Sequence, residues 1–155
     1  MRLRVNGIER EVAADPTDPL IDVLRNGLGL TGPRFGCGLE QCGACMVLID
    51  GSPAYSCTRE VGTLDGAEIT TVEGLGDIEA PHPLQRAFLA EQAGQCGYCL
   101  SGILIAAKAL LDRNPAPSRA EIVAALDGHL CRCGSHTRIL RAVERAAAEM
   151  RGEAR

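Results

Sequence analysis

The cysteines are the residues of this sequence that can most clearly do chemistry. There are 8 of them in 155 residues, together with 18 glycines, which is well above ordinary usage. Four cysteines of the first half have the spacing C-x4-C-x2-C, with the last one twelve positions further on: Cys37, Cys42, Cys45 and Cys57. The leading triplet is the spacing of the plant-type [2Fe-2S] site. It predicts one cluster held by four thiolates.

The glycines beside these cysteines fit that chemistry. A cluster bound by four thiolates concentrates negative charge on sulfur, so its loop must wrap closely and present backbone N–H donors. Gly36, Gly38 and Gly43 flank the ligands and permit backbone conformations that most residues avoid. The neighbouring Arg34 is a candidate for one further donor.

The cysteines of the second half form two short pairs at predicted helix junctions: Cys96, Cys99, Cys131 and Cys133. Two pairs from two junctions can meet at one end of a helical bundle. The helix N-termini near Cys99 and after Cys133 would then point N–H groups at an anionic cluster. The pattern predicts a second [2Fe-2S] cluster.

Structural zinc is the alternative that spacing alone leaves open. Two four-cysteine sites could hold small domains together, although the C-x-C pair is less usual for zinc, whose cysteines are commonly separated by two to four residues. Disulfides are disfavoured in a reducing compartment. Eight thiolates suffice, so His82, His129 and His136 are interpreted as caps, surface groups or donors near a cluster.

Composition narrows the class further. The net charge is −4, without a basic cluster, which argues against nucleic acid as a partner. No stretch approaches the roughly 20 apolar residues of a membrane span, and residues 1–7 do not resemble a signal peptide. We therefore expect a cytoplasmic protein with no direct membrane insertion, although a partner's export signal could carry it out.

The elements predict an α+β fold in two domains, 1–76 and 77–155. The first has a hairpin at Asn6-Gly7, a short helix that Thr17 or Asp18 caps and Gly27 ends, and strands near 46–49, 54–57 and 68–72. The second has four helices, the third opening with a capping box at Ser118. Four amphipathic helices of this length favour a small bundle.

The motifs resemble the small iron-sulfur subunit of the xanthine oxidase-type molybdenum hydroxylases. They are GCGLEQCGAC at 36–45, SC at 56–57, QCGYC at 95–99 and LCRCG at 130–134, in the family's order. The resemblance covers nearly the whole chain. It implies a plant-ferredoxin-like β-grasp domain followed by a four-helix-bundle [2Fe-2S] domain.

The resemblance also implies a role. In this family a large subunit with a molybdenum-pterin cofactor (molybdopterin) oxidises the substrate, and the small subunit passes the electrons through its two clusters to an acceptor. Gln95 and Cys133 fall where the family contacts the pterin edge. The chain would thus be one component of an oxidoreductase, with no catalytic residue of its own.

Two departures from the common family pattern concern substrate and local detail. Leu100-Ser101-Gly102 stands where many members have Thr-Pro-Gly, and the last cysteine motif continues as CGSHTRI at 133–139. These endings resemble the bacterial isoquinoline and nicotinate dehydrogenase branch, which acts on N-heteroaromatics or aldehydes and often passes electrons to a cytochrome c subunit rather than to a flavoprotein; a FAD-binding subunit is the other acceptor expected. His129 stands where the family usually has Asn, which is a difference in the surroundings of a cluster. The alternatives are a stand-alone ferredoxin-like electron carrier and a zinc-binding module.

Overall fold

The computed structural model describes residues 1–153 and shows an α+β fold. The first half contains five strands in one mixed sheet: β1 (Arg2–Val5), β2 (Ile8–Glu11), β3 (Met46–Ile49), β4 (Ser52–Tyr55) and β5 (Glu68–Thr70). The strand order is β2-β1-β5-β3-β4. β1 and β5 run parallel, whereas the other neighbouring strands are antiparallel. The first and the last strand of the sequence are therefore hydrogen-bonded neighbours within the sheet.

Both hairpins turn at a pair of residues that ends in glycine. Asn6 and Gly7 have φ of 53° and 76°, and Asp50 and Gly51 have φ of 50° and 77°. Two successive residues with positive φ are what a tight type I′ turn requires. The first hairpin is confirmed, and the second pairs Met46 with Tyr55 at its open end.

The short helix of the first half, α1 (Leu20–Asp22), begins differently from the prediction. Its N-cap is Pro19, and no side chain caps it. The predicted caps are wrong because both residues are engaged in the preceding turn: Asp18 accepts from the backbone N–H of Asp15, and Thr17 donates to Asp15. The helix continues as one π-helical turn, Val23–Gly27. It therefore ends at the glycine that the sequence indicated.

Four helices make up the second half, as predicted: α2 (Pro83–Ala90), α3 (Leu100–Arg113), α4 (Arg119–Leu126) and α5 (His136–Met150). The predicted capping box is present, with the Ser118 hydroxyl accepting from the N–H of Glu121. A second capping box pairs His82 with Gln85 at the start of α2. His82 is thus a helix cap, one of the roles expected of it.

The two halves share one buried cluster. The helices bury a cluster of their own around Ile103, Ile122 and Val143, but α3 also packs directly on β3. Ile105 and Ala109 of α3 form one buried cluster with Met46 and Leu48 of β3: all four are less than 9% exposed. The long central helix therefore contributes both to the core of the helical half and to the core shared with the sheet.

Within residues 1–153, no helix is both long enough and apolar enough to cross a membrane.

The last two residues of the predicted second domain, 154 and 155, lie outside the described residues. A division of the chain near residue 76 stays a prediction, since the packing of α3 on β3 joins the two halves.

Replacing Ile105 with alanine should weaken both halves at once. Ile105 is fully buried against the sheet, so Ile105→Ala should lower the free energy of unfolding by about 2–5 kcal/mol. Chemical denaturation of the metal-loaded chain measures this. Val123→Ala on the exposed side of α4 is the matched control and should cost no more than about 0.5 kcal/mol. Equal losses in the two variants would contradict the shared core.

Candidate metal centres

The first four cysteines lie around a tight loop between α1 and β3. Cys45 comes directly before β3, and Cys57 follows β4, so the sheet holds these two in place. The backbone N–H of Arg34 donates to the carbonyl of Ala44 at 3.0 Å and closes the loop on itself. All eight cysteines of the chain are free thiols.

Cys37 sits where several backbone N–H groups converge. The N–H groups of Gln41 and Leu39 both donate to its Sγ at 3.3 Å. They lower the pKa of Cys37 to about 7, with a smaller contribution from the Cys42 thiol. A concave set of N–H donors of this kind binds anions. The loop thus stabilises a thiolate at this position before any metal is considered.

Cys45 and Cys57 form the buried side of the same site. They are 2% and 7% exposed, and burial together with the neighbouring Cys57 thiol raises the pKa of Cys45 to about 11. The Ser56 hydroxyl donates to the Cys45 carbonyl at 2.7 Å. This hydrogen bond joins the segment with Cys57 to the segment with Cys45. A thiol in such surroundings becomes a thiolate when a metal cation replaces its proton.

The second four cysteines lie in the segments that lead into α3 and α5. Cys96 and Cys99 precede α3, whose N-cap is Cys99, and Cys131 and Cys133 precede α5. The N–H of Tyr98 and then the Cys133 thiol lower the pKa of Cys96. The two cysteine pairs that the sequence assigned to helix junctions are therefore brought together at one end of the bundle.

The remaining two thiols of this set have opposite surroundings. Burial, followed by the neighbouring Cys131 thiol, raises the pKa of Cys99 to about 12. Burial also acts to raise the pKa of Cys131, but the N–H of Ser135, the Cys99 thiol and the N–H groups of Cys133 and Gly134 lower it overall. Backbone N–H groups at the start of α5 thus favour negative charge here.

The eight thiols come together in four pairs. Cys42 acts on the pKa of Cys37, Cys57 on that of Cys45, Cys133 on that of Cys96, and Cys131 on that of Cys99. Within residues 1–153, no three His, Cys, Asp or Glu side chains are placed to hold a single ion. Two pairs in each half, with N–H donors near them, would suit a two-iron cluster held by four thiolates.

A buried hydroxyl also lacks a partner beside the second set. Ser101 is 8% exposed, and its Oγ makes no hydrogen bond. It lies in the first turn of α3, two residues after Cys99. An unpaired buried hydroxyl is costly. The fit of the second half to an iron-sulfur cluster rests on its two thiol pairs and on the N–H groups that lower the pKa of Cys96 and Cys131.

Gln95 and Cys133, the two residues predicted to contact the pterin, lie next to each other in the structure. The Gln95 amide donates to the Cys133 carbonyl at 3.4 Å, and Gln95 itself is exposed. Gln95 also borders an apolar groove with Phe88 and Leu104 in its walls. The amide and the cysteine thus lie at one accessible face of the helical half.

Three contacts join the segments that carry the two cysteine sets. The N–H of Leu130 donates to the carbonyl of Cys42 at 3.0 Å. The Tyr98 hydroxyl donates to the carbonyl of Phe35, and the Arg34 guanidinium lies 5.3 Å from the centre of the Tyr98 ring. Segments that are far apart in sequence are therefore joined at the two sites.

Sequence reasoning missed the packing between these segments. Gly43 has φ of +76°, and a methyl group built on it would lie 2.2 Å from Nδ1 of His129. Gly102 of α3 approaches the Gly43 carbonyl equally closely. The glycine in the C-x2-C spacing was a usable signal, but its partners come from distant parts of the chain. His136, in contrast, is exposed at the start of α5.

Two family models match the chain. One, described as a 2Fe-2S iron-sulfur cluster binding domain, matches residues 3–70, and the other, a [2Fe-2S] binding domain, matches residues 71–144. The first match contains four of the cysteines, and the second contains the other four.

Similar proteins span nearly the same length. One of the nicotinate dehydrogenase subunits of Pseudomonas putida is 57% identical over 94% of this chain and 92% of its own length. The alpha subunit of isoquinoline 1-oxidoreductase from Brevundimonas diminuta is 51% identical over 94% and 95%. Among solved structures, the aldehyde oxidoreductase of Desulfovibrio desulfuricans matches with a TM-score of 0.95 and 43% identity; the match covers 98% of this chain and 17% of that one.

Replacing Gly36 with alanine should damage the first site alone. A methyl group at this position would lie 2.6 Å from Sγ of Cys42, so the thiol must move. We expect Gly36→Ala to bind roughly two irons per chain, half of the load of two [2Fe-2S] clusters, with one EPR signal lost. Gly27→Ala is the control, because its methyl would meet nothing closer than 3.9 Å. Full iron content in Gly36→Ala would contradict this reading of the loop.

Proposed function

The chain belongs to the small [2Fe-2S] subunits of the molybdenum hydroxylase family, and from this we propose that it carries electrons away from a molybdopterin-binding large subunit. Two matching domains, each with four cysteines, are the observation that carries the proposal. The chain is an oxidoreductase component, and substrate oxidation takes place in the large subunit.

We assign one cluster to each cysteine set: Cys37, Cys42, Cys45 and Cys57 hold the first, and Cys96, Cys99, Cys131 and Cys133 hold the second. A [2Fe-2S] cluster, when bound, takes up and releases one electron at a time. The four thiol pairs and the convergent N–H donors support this assignment. The dividing line between the two cluster domains would lie near residue 76.

Hydrogen bonds from backbone N–H groups would favour the reduced form of a cluster, which carries one more negative charge, whereas exclusion of water would disfavour it. The N–H groups of Leu39, Gln41 and Tyr98 point at ligand sulfurs, and such bonds tune cluster potentials. Cys45 and Cys57 are shielded within the core. Unequal exposure and hydrogen bonding would thus give the two sites different potentials.

The hydrogen bond between Leu130 and Cys42 offers a short connection between the sites. Leu130 is covalently bonded to Cys131, and Cys42 accepts its N–H at 3.0 Å. One ligand of each proposed cluster is therefore joined by a few covalent bonds and a single hydrogen bond. Electron tunnelling weakens steeply with distance, so this contact favours transfer between the two sites.

The face with Gln95 and Cys133 is where we place the large subunit. Gln95 is exposed and its amide lies beside Cys133, so the two residues together could contact the edge of a bound pterin. The second cluster site would then receive the electrons, and the first would pass them outward.

Substrate and acceptor are inferred from the relatives. The names of similar proteins include nicotinate dehydrogenase, isoquinoline 1-oxidoreductase and aldehyde oxidoreductase, which supports an N-heteroaromatic or aldehyde substrate. A cytochrome c or a FAD-binding subunit is the proposed acceptor. Eight free thiols suit a reducing compartment such as the cytoplasm.

Replacing Cys133 with serine tests this assignment in the complex with the large subunit. Cys133→Ser should damage the second cluster and stop substrate-driven reduction of the first, because electrons enter through the second. Dithionite, which bypasses that entry, should still produce the first cluster's EPR signal. Arg10→Gln, on the exposed strand β2 and outside both cysteine sets, is the control and should behave as wild type. Substrate reduction of the first cluster at the wild-type rate in Cys133→Ser would overturn the order of transfer.

A further inference from the structure

His129 is a buried polar residue that the proposed function does not use. It is 5% exposed, and its Nδ1 has no hydrogen-bond partner. A polar ring that is buried without a hydrogen bond at this nitrogen is costly, so its position calls for a packing contact that uses the shape of the ring.

That contact is with Gly43. A methyl group built on Gly43 would lie 2.2 Å from Nδ1 and 2.8 Å from both Cε1 and Cγ of His129. The ring therefore lies against the glycine backbone with no room for a side chain. Gly43 stands between Cys42 and Cys45, so the imidazole rests on the stretch that separates two proposed ligands of the first cluster.

The neighbours of His129 tie the same segment down on both sides. Its own N–H donates to the carbonyl of Leu126 at the end of α4, and the next residue, Leu130, donates to Cys42, each at 3.0 Å. Cys131 follows immediately. The imidazole and these two hydrogen bonds thus connect the end of α4 to both cysteine sets.

Gly43 is also held from its opposite side. Its carbonyl accepts from the N–H of Met46 at 3.1 Å, and a methyl group on Gly102 would lie only 1.9 Å from that carbonyl oxygen. The backbone of Gly43 therefore packs against both α3 and the His129 ring. Removing the ring would remove one of these two contacts.

We propose that His129 is a positioning residue whose imidazole, packed on Gly43, fixes the segment with Cys131 and Cys133 against the loop with Cys42 and Cys45. The proposal rests on the assignment of one cluster to each cysteine set. Its consequence is a fixed separation of the two clusters, and with it a fixed rate of electron transfer between them.

The test is the magnetic interaction between the two reduced clusters, read from the low-temperature EPR spectrum of the loaded, dithionite-reduced chain. We expect wild type to show a splitting from this interaction and His129→Ala to lose or broaden it, with iron content unchanged. His129→Phe keeps a ring over Gly43 and should retain the splitting. His136→Ala, the same substitution at an exposed histidine, is the control and should match wild type.

The outcomes separate this inference from the proposed function. A wild-type chain that loads fewer than two clusters contradicts the proposed function, and the inference falls with it. Two clusters whose splitting is absent in wild type, or unchanged in His129→Ala, overturn the inference alone. A lower unfolding temperature with unchanged splitting would mean that His129 only stabilises the core. If His129→Ala binds less iron than wild type, the splitting is measured instead in His129→Val, whose side chain fills only part of the space of the imidazole, and the same two outcomes apply.

Discussion

Repulsion among eight thiolates in one small chain is the constraint on which the structure depends. Like charges this close are tolerated only where cations or N–H dipoles oppose them. The chain meets this requirement with N–H groups from loops and helix starts, as at Cys37 and Cys131. Backbone N–H groups also act on the buried thiols Cys45 and Cys99, but burial outweighs them and raises the pKa of each. These two thiols would lose their protons on binding iron and so become thiolates.

The same requirement explains why the two halves share a core. The loops that surround the thiols have little regular structure of their own, so elements behind them must hold them. β3 anchors Cys45 and α3 begins at Cys99, while Ile105 of α3 packs against Met46 of β3. A rigid connection behind the cysteines keeps both sites in one arrangement. An electron-transfer subunit needs this, because tunnelling rates depend on distance.

Much of this architecture could be predicted from local signals. Asn6-Gly7 and the capping box at Ser118 act over a few residues, and the cysteine spacing predicts its chemistry without any fold. The start of α1 could not be predicted, because Asp18 and Thr17 bond within their own turn instead of capping it. The packing of His129 on Gly43 joins residues 86 positions apart. Periodicity and propensity carry no information about such a contact.

The central claim is that the chain holds two [2Fe-2S] clusters, and metal analysis of anaerobically purified protein tests it most directly. Iron, labile sulfide and zinc should be quantified together with the EPR spectrum of the dithionite-reduced sample. We predict roughly four irons and four sulfides per chain and two distinguishable S = 1/2 signals. Zinc without labile sulfide, in a colourless and EPR-silent protein, would contradict the account and indicate a structural zinc module.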